Sequence, residues 1–251
     1  MTHPLVLALE EAFQEVRDKD WSLGDRLRFI ADTVRAKGPD FMTEVDAFVR
    51  RLERACAGAS APQIGDPMPG FTLPDQDGRF VSLAGLLAEG PVVLAFHRGH
   101  WCPYCRLNLV GLAELQDRIA PARIVAISAE TQRYTREIRA ESGARFPVLT
   151  DTGVGYALSL NLAVIVDEGM AKMIGGAGWD VPAYQGGSDW VLPIPAVFVI
   201  NEDGIIAARH VDPDYRRRME LDALLGSVER LRDLASPVGR ADQVEKRASL
   251  A

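Results

Sequence analysis

Ten consecutive residues, Phe96-His97-Arg98-Gly99-His100-Trp101-Cys102-Pro103-Tyr104-Cys105, carry the densest reactive chemistry of this sequence. Two cysteines in a CxxC spacing can cycle between dithiol and disulfide, provided that one helical face holds both sulfurs. The apolar run Val92 to Phe96 precedes them, and a helical pattern with Leu107, Leu109, Leu112 and Leu115 follows. The cysteines are therefore expected where a buried strand passes into an amphipathic helix. The first turn of a helix has unpaired N–H groups and partial positive charge, which favour thiolate over thiol. Arg98, His97 and His100 can add positive potential, and Pro103 suits a first turn because no N–H is needed there. Trp101 and Tyr104 flank the sulfurs. In a CxxC pair on a helix, Cys102 is expected to be the more exposed and more stabilised thiolate.

Other uses of these side chains fit less well. A structural zinc site needs two more Cys or His ligands at local spacing, and there is no second CxxC. Neither a metal nor an organic cofactor is expected. The third cysteine, Cys56, has no partner motif, lies on an expected helix among charged residues, and should be dispensable.

The elements that position the motif follow from periodicity. Up to about Ala59 the chain reads as three helices. The first carries Leu5, Leu7, Leu9, Phe13 and Val16. The second is capped by Ser22 and stops near Gly38, and the third starts at about Asp40. Beyond Gly65 the pattern becomes a hairpin around Asp75-Gln76-Asp77-Gly78, then the Val92–Phe96 strand and the helix after Cys102. Next come a strand at Ile124–Ile127, a helix over Thr131–Ser142 and a strand at Phe146–Leu149. A strand at Ala196–Ile200 turns through Asn201–Gly204 into Ile205–His210, and a last helix carries Leu221, Leu224, Leu225, Val228 and Leu231. The stretch from Ala163 to Leu192 fits no simple element and is expected to be a long loop over the active site. The order gives an α/β fold, a mixed sheet covered by helices on both faces. The expected division is an N-terminal helical extension over 1–62, a redox domain over 63–235 and a polar tail over 236–251.

The 251 residues are 47% hydrophobic and carry a formal net charge of -7. A surface of that sign repels phosphate backbones and anionic lipid, so neither nucleic acid nor membrane is an expected partner. No window reaches the ~20 apolar residues of a membrane span, and the N-terminus lacks the features of a signal peptide. A cytoplasmic location is expected. Symmetric dimers are the commonest oligomers, which makes a homodimer the default expectation.

From Gly65 to about Leu231 the chain resembles the peroxiredoxin (alkyl hydroperoxide reductase/thiol-specific antioxidant) superfamily of thioredoxin-like proteins. The matching features are Gly65-Asp66-Pro67 leading to Phe71-Thr72-Leu73, the turn at Asp77-Gly78, the strand ending Ala95-Phe96, and Phe198 to Gly204. It is most similar to a peroxiredoxin-like branch with Arg-Gly-x-Trp-Cys-Pro-Tyr-Cys, here Arg98 to Cys105, and Leu-Pro-Ile-Pro, here Leu192 to Pro195. The resemblance implies a thioredoxin-like fold and a peroxidase acting on hydroperoxides with a thioredoxin-like reductant. Aligned with the family's Pro-x-x-x-Thr-x-x-Cys pattern, the peroxidatic cysteine falls on Cys105, the threonine on Cys102 and the proline on Arg98. The family's late arginine position falls on Pro195, as in thioredoxins, which implies a cis Ile194–Pro195 bond facing the cysteines and leaves Arg98 to supply the charged donor. The strand before the motif holds no carboxylate, so protons must pass through water, a histidine or a more distant acid such as Glu114. The alternatives are a disulfide oxidoreductase, in which Cys102 attacks a substrate disulfide, and a non-enzymatic interaction module.

Overall fold

The structure is a computed structural model and describes residues 2–235; the expected tail over 236–251 lies outside them. Three helices come first: α1 (Pro4–Val16), α2 (Leu23–Lys37) and α3 (Pro39–Arg54). As expected, the Ser22 hydroxyl caps α2 by accepting from the Asp25 N–H. The buried stripe of α1 is Leu5, Leu9, Ala12, Phe13 and Val16. Leu7 is 52% exposed, because the three-to-four spacing of that stripe carries it off the buried face. Cys56 lies beyond the end of α3, in a turn with φ 50°, and is exposed rather than helical.

The hairpin forms as expected from β1 (Thr72–Pro74) and β2 (Phe80–Ser82). The Asp75 carboxylate accepts from the Asp77 and Arg79 N–H groups and holds the turn. A short helix α4 (Leu83–Leu87) leads to β3 (Val92–Phe96), α5 (Pro103–Leu115), β4 (Arg123–Ser128), α6 (Gln132–Ser142) and β5 (Val148–Thr150). After α7 (Gly155–Ser159), the stretch expected to be a loop contains β6 (Ala163–Ile165), α8 (Glu168–Gly176), α9 (Val181–Tyr184) and β7 (Val191–Pro193). β6 and β7 pair antiparallel. These elements are too short to give a clear period in the sequence. They are fixed by tertiary contact, with Met170 and Ile174 of α8 buried in the same core as α3. The chain then runs through β8 (Ala196–Ile200), β9 (Ile206–Val211) and α10 (Leu221–Ala235).

The main sheet has the order β5-β4-β3-β8-β9. β3 pairs parallel with β4 and antiparallel with β8. Alternation along the strands splits its residues between two cores. Leu94, Phe96, Ile127 and Phe198 pack beneath the hairpin, α4 and α7. Val93, Ala95, Ala126 and Val197 face Leu109, Leu112, Ile138 and Val228 of α5, α6 and α10. A third core covers the outer side of α5, where Trp101, Cys102, Tyr104, Leu107 and Val110 meet α1, α2, α3 and α8. The helix after the cysteines is therefore buried almost all round rather than amphipathic. Arg106 of α5 fixes this arrangement. Its guanidinium stacks 3.8 Å from the Phe13 ring centroid and bonds to Glu10 and Glu141 at 2.7 Å each.

Because α1 to α3 share a core with α5, they should unfold together with the sheet. Phe13→Ala should lower the unfolding free energy by about 3–5 kcal/mol in a single denaturant transition. A separate early transition of the N-terminal helices would contradict this packing.

Candidate active site

The central strand β3 ends at Phe96, and the chain reverses through Gly99 to enter α5. Gly99 has φ 142°, which L side chains rarely adopt, and a Cβ there would strike the Glu130 carboxylate. Cys102 is the N-cap of α5 and Pro103 opens its first turn, but the Cys102 side chain takes none of the free helix N–H groups. Both cysteines are free thiols and both are buried, at 1% and 0% exposure. The expected exposure of Cys102 is not found, because α1, α2, α3 and α8 cover that face.

The electrostatics reverse the expected order of the two sulfurs. Burial raises the Cys102 thiol, and its hydrogen bond and proximity to Cys105 raise it further, so it stays protonated. Burial also acts to raise Cys105. The hydrogen bond from the Cys102 thiol, the Arg218 guanidinium and the Arg98 N–H outweigh it and bring Cys105 down to about 5. Arg98 N lies 3.3 Å and Arg218 Nη2 3.4 Å from Cys105 Sγ. The dithiol is thus a Cys102 thiol donating to a Cys105 thiolate.

Arg98 acts on Cys105 first through its main chain. Its guanidinium lies over the rings of Tyr215, at 3.8 Å, and Trp101, at 4.8 Å, while its Nη2 and the Trp101 Nε1 have no partner. Tyr104 packs edge-on against Tyr215 at 5.6 Å. A cleft of about 20 Å3 lies among Arg98, Trp101, Cys102, Tyr215, Phe41 and Trp179. That is room for a guest of roughly water size, since one water needs about 10–15 Å3.

Several expected roles change. Burial, then the charges of Arg218 and His100, push His97 down to about 3, so it is neutral and adds no positive potential. His100 is held by Glu130, whose Oε1 lies 2.7 Å from its Nδ1 and whose Oε2 accepts its N–H. Glu130 is fully buried, and burial raises its pKa against the His100 hydrogen bonds. Glu114 instead pairs with Arg26, away from the sulfurs, which leaves Glu130 as the acid beside the motif. The cis peptide among the described residues is Ala120–Pro121, so Ile194–Pro195 is not cis. Here only Ile194 and Pro195 separate β7 from β8, and Pro195 lines a separate small cavity with Arg98 and Tyr215.

Sequence reasoning missed Glu130, Tyr215 and Arg218. Arg218 is 113 residues from Cys105, and the run Arg216-Arg217-Arg218 reads as a solvated charged face until the segment after β9 carries Arg218 to the sulfur in the first turn of α5. Among the described residues no three His, Cys, Asp or Glu side chains form a group that could hold a metal, and no helix is long and apolar enough to cross a membrane.

The profile of the AhpC/TSA family matches residues 64–209. The thiol-disulfide oxidoreductase ResA of Bacillus thuringiensis (strain Al Hakam) is 26% identical over 161 residues, covering 63% of this chain and 75% of that protein. A putative peroxiredoxin of Mycobacterium tuberculosis is 32% identical over 89 residues, covering 35% of this chain and 58% of the relative. Among solved structures, the peroxidoxin BcpB from Mycobacterium tuberculosis shares the fold with a TM-score of 0.52 at 22% identity, over 66% of this chain and 96% of that one.

If Arg218 holds Cys105 ionised, Arg218→Met raises the Cys105 pKa towards that of a free thiol. The thiolate is then lost at pH 6 but retained at pH 9. A rise of about two units, from about 5 to about 7, cuts the thiolate fraction at pH 6 about tenfold, so reaction with hydrogen peroxide should slow about tenfold there and little at pH 9. Equal slowing at both values would mean that Arg218 acts other than by ionising the sulfur.

Proposed function

The chain belongs to the AhpC/TSA family and is a thiol-dependent oxidoreductase, and from that premise we propose that it is a peroxidase for small hydroperoxides, working through a Cys102–Cys105 dithiol–disulfide cycle. The observation that carries this reading is an ionised Cys105 next to a protonated Cys102 that borders a water-sized cleft. Thiolate is the nucleophilic form of cysteine, and a cleft this small admits a peroxide but no protein disulfide. The register also agrees, because the peroxiredoxin pattern sets its reactive cysteine on Cys105. In this reading the chain falls in the branch marked by Arg98 to Cys105 and by Leu192 to Pro195.

The cycle balances on the groups at hand. The Cys105 thiolate attacks one peroxide oxygen and the O–O bond breaks, giving Cys105 sulfenic acid and an alkoxide. The alkoxide takes the Cys102 thiol proton and leaves as an alcohol, or as water when the substrate is hydrogen peroxide. The Cys102 thiolate so formed attacks the Cys105 sulfur, and hydroxide departs as the disulfide forms. Glu130 is buried with a raised pKa and feels the Cys105 charge, so it can protonate that hydroxide. His100, whose side chain is 17% exposed, reloads it from solvent. Arg98, carrying an unpartnered N–H and lining the cleft, orients the peroxide. Trp101, Pro103, Tyr104 and Pro195 position these groups.

A thioredoxin-type dithiol then reduces the disulfide. Because the sulfurs are buried, residues 1–62 act in this reading as a cap on the redox domain over 63–235 and must move aside for that partner. A cytoplasmic location suits such a reductant, and a homodimer remains the default assembly. The second reading, a disulfide oxidoreductase, is favoured by the position of Cys102, which rather than Cys105 lines the cleft.

The two readings divide on single-cysteine variants. Cys102→Ser should still form sulfenic acid on Cys105 with peroxide, detected by dimedone-type labelling, and should lose disulfide exchange. Cys105→Ser should lose the peroxide reaction. Sulfenic acid confined to Cys102 would replace the peroxidase reading with the exchange reading. Glu130→Gln should leave sulfenic acid formation intact, slow disulfide closure several-fold and flatten the pH dependence of that step. Unchanged closure with an unchanged pH profile would remove Glu130 from the proton path.

A further inference from the structure

Arg218 also lines an open groove of about 510 Å3, separate from the cleft. Arg28, Arg35, Arg216, Arg217, Arg218 and His210 line it, against two carboxylates, Asp46 and Glu220. Four of these arginines have acid partners. Arg28 pairs with Asp25 and Arg35 with Asp32, both on the exposed side of α2. Arg216 is held by Asp46 and Asp214, and Arg217 reaches Asp212 at 3.4 Å. Arg218 pairs with no carboxylate among the described residues. Its Nη1 donates to the Tyr215 and Arg217 carbonyls and its Nη2 to Cys105, while its buried Nε has no partner. His210, on the same wall, likewise keeps a buried Nε2 with no partner. Buried donors are ordinarily paired, so the orphaned Arg218 Nε–H in this cationic groove calls for an acceptor. Exposed ion pairs such as Arg28–Asp25 and Arg35–Asp32 are weak and can exchange partners.

We infer that this groove binds a small molecule bearing carboxylate or phosphate groups, and that it binds more tightly once Cys105 has lost its negative charge. Guanidinium groups match both oxyanions through paired hydrogen bonds. The volume falls within the range of small-molecule sites, about 300–1,000 Å3. The dependence on Cys105 follows from the bridge. In the reduced protein the Cys105 thiolate is the counter-charge of Arg218 and repels a second anion. When a hydroperoxide has oxidised the pair to the disulfide, the thiolate charge is gone and Arg218 has no anion within reach. By linkage, a bound anion in turn favours the disulfide over the dithiol. The groove therefore reports the redox state of the cysteines and biases it. This redox dependence rests on the proposed disulfide cycle; the site itself and its link to the Cys105 charge do not.

The test is calorimetric titration of the full chain near neutral pH with two probes, inorganic phosphate and citrate. Cys105→Ser removes the thiolate charge without any disulfide, so a failure of the peroxidase cycle leaves this arm intact. Cys105→Ala serves if the serine variant does not fold, and thermal melts identify folded samples. The Cys105 variant should bind the better probe about tenfold more tightly than the reduced wild type, within the usual range of coupling between sites. Preference for phosphate or for citrate identifies which oxyanion the groove takes. Adding Arg35→Gln and Arg217→Gln to the Cys105 variant should abolish binding, while peroxide consumption by the same double substitution in the wild-type background stays unchanged. No saturable binding by the Cys105 variant, equal affinity in the reduced wild type, or binding unaffected by the two arginine substitutions would each overturn the inference.

Discussion

A buried negative charge on Cys105 is the constraint around which this molecule is built. An ionised group out of contact with water is costly unless hydrogen bonds and opposite charge surround it. Three parts of the chain meet that requirement. The Arg98 N–H comes from the end of β3, the Cys102 thiol from the start of α5, and the Arg218 guanidinium from the segment between β9 and α10. The sheet order places β8 beside β3 and β9 beside β8, and the segment that follows β9 brings the third contribution to the sulfur. Removal of any one donor leaves the charge less compensated, and the sulfur then reverts towards an ordinary buried thiol.

The second consequence of burial is control of access. The outer face of α5 is closed by α1 to α3 and α8, which leave only a water-sized cleft beside Cys102. The same burial that keeps the Cys102 proton in place excludes bulk water and large substrates. Three of the four covering helices, α1 to α3, and Arg218 lie outside residues 64–209, the segment matched by the family, while α8 lies within it. The family portion supplies the strand-to-helix junction; the flanking segments set the charge of its sulfurs and their exposure.

The same division explains what could be read from the sequence. Val92–Phe96 is legible because a central strand covered on both faces is apolar at every position, and the Asp75–Gly78 turn because its side-chain chemistry is local. The CxxC pair and its place at the start of α5 follow from spacing alone. The peroxiredoxin register points to Cys105, the sulfur whose pKa this environment lowers, whereas the general rule for helix-start cysteines favours Cys102. That rule fails because it assumes solvent on one side of the pair, and the helices that remove the solvent are distant in sequence, α1 to α3 far upstream and α8 far downstream. Glu130 and Arg218 were hidden for a related reason. A lone glutamate after a strand and the last of three arginines look like surface residues until the sheet brings them to the sulfurs. The 163–192 segment escaped because its strands and helices are shorter than a reliable period and exist through contact with α3 and with each other.

The central claim concerns two protons, and NMR titration of the full-length dithiol protein labelled with 13C at cysteine Cβ follows both at once. The account predicts that the Cys105 signal titrates with a midpoint near pH 5, the value set by its three donors. The Cys102 signal should stay in the thiol position through neutral pH, as its burial beside a thiolate requires. A Cys102 signal that titrates first, or two ordinary thiols with midpoints near about 8.5, would contradict it.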